Sequence, residues 1–304
     1  MNKNLIPWLA FFAVSFFWGT TYLATRIGVQ TFPPFMMAAI RQGLAGFCLL
    51  LYFLVKGYAM PSKSDLKSFF FTGIIMLAGG NGIITWGMQY VDSGLTSLIC
   101  ALTPVWIVLF NLILGKNEQI NGLTILGFFI CLIGQVLIFS NRLSVHQSEH
   151  FWTGIVAIVL SNLLWAIGTV YSKHHVSKVH PLFSAGFQMF AAAIILVFCS
   201  ILLGETNHSI VLSQEAVLSI AYLVVFGSWI AFGSYMYVLK KLPASIVSTY
   251  AYINTAVGLL LGWYWLNEPM NIQTIFALLL TVLGVYLVSK STQIGNVKQQ
   301  TTDR

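Results

Sequence analysis

Ten apolar stretches, each about as long as a helix needs to cross a bilayer, follow one another with little chain between them. They run about 6–26, 35–55, 69–89, 94–114, 122–140, 151–171, 182–203, 216–238, 245–266 and 272–289. A hydrocarbon core about 30 Å thick takes roughly 20 helical residues to cross. Inside it an unpaired backbone amide finds no water, so spans of this length can only be helices. Of the 304 residues, 58% are hydrophobic and 8% charged, against about 25% charged in soluble domains. The expected fold is therefore an all-α polytopic membrane protein with ten transmembrane helices and no room for a soluble catalytic domain.

The net charge of +7 raises the question of nucleic acid, and the placement of the charge answers it. With the N-terminus inside, cytoplasmic segments hold Lys3, Lys56, Lys63, Lys67, Lys116, Lys173, Lys178, Lys240, Lys241, Lys290, Lys298 and Arg304, twelve of the fifteen basic residues. Arg26, Arg41 and Arg142 fall at or near the opposite side. This asymmetry follows the positive-inside rule. Both termini are expected in the cytoplasm, the bilayer is the expected partner, and nucleic acid is not. The first apolar run reads as a span, since it continues through Trp18 and Tyr22 without a small-residue cleavage site. Cys48, Cys100, Cys131 and Cys199 all fall in spans without ligand-like spacing, which favours packing over a disulfide or metal. No cofactor is expected.

The chain also looks like one unit written twice. Trp18 is followed at +8 by Arg26, at +16 by Pro34 and at +23 by Arg41; Trp165 is followed by Lys173, Pro181 and Gln188 at the same intervals. Glu118 and Gly134 stand 16 apart, as do Glu268 and Gly284. Early landmarks match at an offset of 147 residues and later ones at 150. The polar stretch NRLSVHQSEH separates the copies. The expected organisation is a first five-helix repeat at 1–141, a linker at 142–150, a second repeat at 151–290, and a polar, disordered cytoplasmic tail at 291–304. Five crossings per repeat invert the second copy, an architecture in which secondary transporters place substrate between the halves.

The segments FWGTTYLATRIGVQTFPP and NGIITWGMQYVDSGLTSLICALTPVW, with the two Glu-to-Gly segments, resemble the drug/metabolite transporter superfamily, in particular its EamA-type group. The resemblance covers residues 6 to 289. It implies ten helices in two five-helix repeats around a central cavity lined by helices one, three, four and their second-half counterparts. It also implies export of amino acids, other metabolites or toxic compounds, without choosing among them.

Polar groups at membrane depth are costly and face a cavity or another helix. On the third span Asn81, Thr85 and Gln89 recur every four residues, beside Gly79, Gly80 and Gly82. They read as a substrate wall, or as hydrogen bonds between closely approaching helices. On the fourth span Pro104 frees a backbone carbonyl, and either Thr103 or a substrate can use it. The equivalent position in the second copy is Asn254, accompanied by Thr249, Tyr252 and Thr255. Trp18 and Trp165 lie deeper than the belt tryptophans Trp8, Trp152, Trp263 and Trp265, so each can stack on a substrate or fill a helix junction. Arg41 falls seven residues after Pro34, about 10 Å below the helix end. It meets a substrate carboxylate, or else it snorkels or pairs with helix ends or Asp92.

No Asp, Glu or His falls near the middle of any span. A proton carrier of the usual buried-carboxylate kind therefore has no candidate, leaving exchange, facilitated efflux or coupling through an interfacial Glu. A membrane enzyme would need a nucleophile with its base, and Ser161 and Asn162 have no nearby histidine. A channel-like permease remains as an alternative. The best reading is an inner-membrane exporter of small organic metabolites, amino acids or related amphipathic compounds, working by alternating access. A monomer holds the whole path, with a dimer as the alternative.

Overall fold

A computed structural model of the chain describes residues 5–114, 122–142, 149–175, 177–207, 212–242 and 247–302. Among the described residues there is no strand, and ten helical segments account for nearly all of the chain. They are α1 (Leu5–Gly28), α2 (Pro34–Val55), α3 (Lys63–Gly87), α4 (Ser93–Ile113), α5 (Gly122–Arg142), α6 (Phe151–His174), α7 (Pro181–Leu202), α8 (Gln214–Lys241), α9 (Tyr250–Leu266) and α10 (Ile272–Thr302). Seven of these (α1–α4 and α6–α8) are long and apolar enough to cross a membrane, while α5 and α10 contribute shorter apolar helices, Gly122–Gly134 and Ile272–Gly284. The tail from 291, expected to be disordered, instead continues α10 to Thr302, and Ser291 at its start hydrogen-bonds Thr124 of α5. Glu118 and positions 143–148 of the expected linker lie outside the described residues.

Three helices are interrupted. The middle of α3, Gly73–Gly82, and the middle of α8, Leu223–Phe232, are π-helical, at equivalent places in the two copies. Such segments are rare and gather at functional sites. α4 breaks between Ser93–Cys100 and Thr103–Ile113. Pro104 explains that break, because its ring displaces the carbonyl of residue 100 from the helical ladder.

The packing pattern treats the two halves alike. α2 packs on α7 and α5 on α10, each helix against its own counterpart. α1 packs on α8 and α9, as α6 packs on α3 and α4. Exchanging the halves leaves this pattern unchanged. The glycine landmarks serve one of these junctions. A Cβ on Gly134 would lie 2.7 Å from Thr281 Oγ1 and 3.0 Å from the Ala277 carbonyl, and one on Gly284 would lie 2.6 Å from the Gly127 carbonyl. Each glycine thus lets its helix reach the other's backbone. The outer faces of this pair, with Leu126, Phe129, Leu132, Phe276, Leu279 and Leu283, are exposed and apolar, as suits contact with lipid.

The other landmarks close helix ends. Arg26 donates to the Met88 carbonyl at the end of α3. Its counterpart Lys173 donates to the Leu239 and Leu242 carbonyls at the end of α8, both at 2.7 Å. Glu268 accepts from Ser93 N, Ser93 Oγ and Gly94 N at 2.7–2.8 Å, capping the start of α4. Glu205 does the same for Phe35 N and Met36 N at the start of α2. A cation suits the negative end of a helix dipole and a carboxylate the positive end.

These contacts also sort the helix ends into two groups. At one end Asp65 meets His175 at 3.2 Å, Tyr58 packs on His180, and Lys240 donates to the Ser177 and Val179 carbonyls. At the other, Thr31 meets Ser213 and Tyr90 packs on His150. The end of α1 therefore lies opposite the end of α6. His180 lies between spans at the lysine-rich end. Its ring nitrogen accepts from Leu182 N, and burial, then the charge of Lys240, holds its pKa below the ordinary histidine value.

Gly284→Leu should push α5 and α10 apart. Overpacking of this kind costs roughly 1–3 kcal/mol, so the purified variant should melt measurably lower while Leu283→Val, on the exposed face, should not.

Candidate substrate-binding site

A cavity opens at the centre of the bundle between α1, α2, α3 and α4 of the first copy and α6, α8 and α9 of the second. Trp18, Thr21, Tyr22 and Thr25 supply the α1 wall. Their spacing of three and four puts all four on one helix face. The α2 wall is Arg41 and Gln42. The two π-helical segments contribute Gly80 and Asn81 from α3, and Gly227, Ser228 and Phe232 from α8. Backbone that departs from the ordinary ladder at membrane depth is tolerated where it lines a cavity.

Four rings close the cavity toward the lysine-rich end. Trp18 stands edge-to-face with Trp165 at 5.2 Å between centroids and 4.9 Å from both Tyr235 and Tyr250. Trp18 Nε1 donates to the Gly227 carbonyl at 3.1 Å, and Tyr235 shares a 2.6 Å hydrogen bond with Thr169. In the other direction the lining reaches Thr25 and Met88, next to the helix ends held by Arg26. The two tryptophans thus fill a helix junction and face the cavity at once. The junction reading is seen directly, and the cavity-facing edges leave the stacking reading open to a substrate.

Arg41 is 5% exposed and deep in this lining. Its Nε donates to Ser228 Oγ at 3.1 Å and its Nη1 to Asn81 Oδ1 at 3.3 Å. No carboxylate among the described residues pairs with it, and Asp92 is not its partner. Snorkelling is excluded by its burial. A buried guanidinium held only by neutral groups is costly unless an anion completes its surroundings. Gln188, its counterpart, does not reach this cavity. It lies in a separate one toward the lysine-rich end with Lys173, His175, Met236 and Lys240.

Of the residues singled out from sequence, Trp18, Arg41, Asn81, Thr85, Thr103, Trp165 and Asn254 line the central cavity. Gln89, Pro104 and Tyr252 do not. Gln89 falls past the end of α3 at Gly87, in a turn where its amide donates to the Trp86 carbonyl, so the stripe ends at Thr85. Pro104 is buried behind the lining, and the carbonyl it frees lies within reach of the Thr103 hydroxyl. Thr103 Oγ1 lies 2.7 Å from the Cys100 carbonyl, while Asn162 Nδ2 donates to the Ile99 carbonyl at 3.0 Å. The Thr103 hydroxyl also lies 2.6 Å from Asn162 Oδ1, and its single proton serves one of these two oxygens at a time. Tyr252 packs against Val105, Val108 and Cys131 instead. It stands about 200° around the helix from Asn254, so the two cannot share a face. Thr255 ties α9 to α4 by donating to the Ser97 carbonyl.

Sequence reading missed Tyr22, Gln42, Ser228, Phe232 and Tyr250. Gln42 had a signal, as a polar side chain at membrane depth beside Arg41. The residues of α8 had little, because the π-helical turn alters which positions share a face. Among the described residues no group of His, Cys, Asp or Glu is arranged to hold a metal.

A helical bundle that spans the membrane, with a polar and aromatic cavity between two similarly packed halves, is the build of a transporter. The EamA-like transporter family matches this chain twice, at residues 5–140 and 152–290, and the chain belongs to that family. It is 31% identical over 307 residues to the uncharacterized inner membrane transporter YedA of Escherichia coli (strain K12), covering 98% of this chain and 97% of that one. It is 28% identical over 284 residues to the uncharacterized transporter YoaV of Bacillus subtilis (strain 168), with 92% and 95% covered. One protein of known crystal structure shares the fold at a TM-score of 0.69 and 21% identity, over 94% of this chain and 96% of the other.

Thr103→Val should remove the one hydroxyl donor shared by the Cys100 carbonyl and Asn162 Oδ1 inside the membrane and lower stability by about 1 kcal/mol. Thr103→Ser, which keeps the hydroxyl, should melt close to the parent protein.

Proposed function

We propose that this chain is an inner-membrane exporter of small organic metabolites, amino acids or related amphipathic compounds, working by alternating access between two inverted five-helix repeats. The observation that carries the substrate side is Arg41: a buried guanidinium facing the central cavity with no carboxylate partner among the described residues. A substrate carboxylate supplies the missing charge through two parallel hydrogen bonds, a geometry the guanidinium fork favours. The aromatic floor formed by Trp18, Trp165 and Tyr250 receives the apolar part. Aromatic walls also suit the apolar cations of multidrug efflux, but Arg41 repels them.

Inversion is supported by the helix ends, since equivalent ends of α1 and α6 lie at opposite ends of the bundle. Orientation is supported by the lysines, whose bias toward one end favours that end in the cytoplasm under the positive-inside rule. Both termini are then cytoplasmic. The central cavity lies on the outer side of the Trp18–Trp165 cluster, and the Gln188 cavity on the inner side. Rocking one repeat against the other would exchange which of them is open. Residues of both repeats line the central cavity, so one copy of the chain is sufficient. No Asp or Glu lines it, which supports exchange, facilitated efflux or coupling through an acid at a helix end. The relative YedA carries "inner membrane" in its name, in keeping with this location.

Arg41→Gln should reduce flux of carboxylate-bearing substrates by tenfold or more, the order of one charged hydrogen-bonded pair, with normal insertion. Metabolite profiling of medium from cells with and without the protein identifies the flux, and inverted vesicles measure it. Unchanged flux in the variant would sink the carboxylate reading. Proton uptake coupled to efflux and lost only on changing a mid-membrane residue would contradict the absence of a buried carrier.

A further inference from the structure

A third cavity, of about 680 Å³, opens at the lysine-rich end of the bundle beside the Gln188 cavity. Its size falls in the range of about 300–1,000 Å³ that small-ligand sites occupy. Tyr58, just past the end of α2, forms one wall. Lys178, His180 and Phe183 at the start of α7 form another, and Tyr237, Lys240 and Lys241 at the end of α8 close it. The aromatic side is packed in place: Tyr58 stands edge-on to Phe183 at 6.2 Å, and Phe53 stacks on Phe183 at 5.1 Å. Lys240 holds the segment that carries Lys178 and His180, by donating to the Ser177 and Val179 carbonyls. Lys178 and Lys241 are exposed. Among the described residues that line this cavity there is no carboxylate. Asp65, at the same end, is taken by Ser62 Oγ and His175. A cleft lined by one sign of charge concentrates its field on ions of the other sign.

The mouth of this cavity adjoins an apolar stripe. Leu44, Phe47, Leu51 and Val55 of α2 are exposed, and their spacing of three and four puts them on one helix face. The stripe ends three residues before Tyr58, so it runs along the lipid-facing side of α2 up to the cavity. We propose that this pocket holds the headgroup of an anionic phospholipid, with the phosphate at Lys178 and Lys241 and an acyl chain along the α2 stripe. Basic pockets between membrane helices bind such headgroups. A lysine ammonium binds phosphate as a point charge. His180 adds a neutral donor: its Nδ1 accepts from Leu182 N, so its hydrogen is on Nε2. A zwitterionic headgroup brings its own cation against the lysines, and a soluble phosphate leaves the stripe unused. Tyr58 belongs to the first half and α7 and α8 to the second, so the lipid ties the two halves together at this end.

The test uses the purified full-length chain in neutral detergent, with thermal stabilisation as the measure of binding. The probes are dioctanoyl phosphatidylglycerol, dioctanoyl phosphatidylcholine, glycerol 3-phosphate and inorganic phosphate. Phosphatidylglycerol should stabilise at about tenfold lower concentration than phosphatidylcholine, and the two soluble phosphates should not stabilise in that range. Each lysine at an anionic lipid is worth about fivefold in affinity, so Lys178→Gln combined with Lys241→Gln should bring the ratio of the two lipids close to one. Lys241→Gln alone should lower it severalfold and serves if the double variant does not fold. Lys63→Gln combined with Lys67→Gln, exposed on α3 at the same end, should leave the ratio as it is. Equal stabilisation by the two lipids, or by neither, overturns the proposal. So does an equal loss in the Lys63 and Lys67 variant, which would mean a diffuse surface charge. Stabilisation by glycerol 3-phosphate or phosphate as strong as by phosphatidylglycerol makes the occupant a soluble anion and overturns the lipid assignment.

Discussion

A backbone amide or carbonyl left unpaired in hydrocarbon has no water to turn to, and the structure is arranged around that constraint. At several helix ends, and at the break in α4, side chains take up the loose groups. Glu268 closes the start of α4, Glu205 the start of α2, Arg26 the end of α3 and Lys173 the end of α8. The break in α4 is held by Thr103 from within and by Asn162 from α6. Two of these closures, by Glu268 and Asn162, tie α4 of the first half to the second. They therefore fix where the halves meet, and with it where the cavity can be.

The same logic explains the matched landmarks. Arg26 and Lys173 occupy equivalent places because each closes the third helix of its own copy. Gly134 and Gly284 match because α5 and α10 approach through them to backbone contact. The mismatched positions lie elsewhere. Arg41 enters the central cavity, whereas Gln188 faces the other one. Pro104 sets the α4 break from behind the lining, while Asn254 enters the lining itself. Shared residues hold helices together, and differing residues make the two cavities chemically unlike.

Much of the site was legible because polar residues at membrane depth are few and each has to be accounted for. Trp18, Arg41, Asn81, Thr85, Thr103, Trp165 and Asn254 were visible that way. The misses have specific causes. Gln89 fits the helical spacing of Asn81 and Thr85, but the helix stops before reaching it. Tyr252 is close to Asn254 in sequence and on nearly the opposite face of α9. Ser228 and Phe232 depend on a π-helical turn that ordinary helical spacing does not describe.

By itself, the sequence determined the helical class, the number and placement of the helices, the duplication and the lopsided charge. Those properties follow from hydrophobic length and residue type, which are written along the chain. Only the tertiary structure decided that Arg41 pairs with no acid among the described residues, that Asn81 joins it to Gln42, and that Arg41 and Gln188 face different cavities. Those are facts of direction and proximity between residues far apart in the chain. Helix rotation, set by packing against neighbouring helices, is the physical quantity that spacing in a single sequence does not contain.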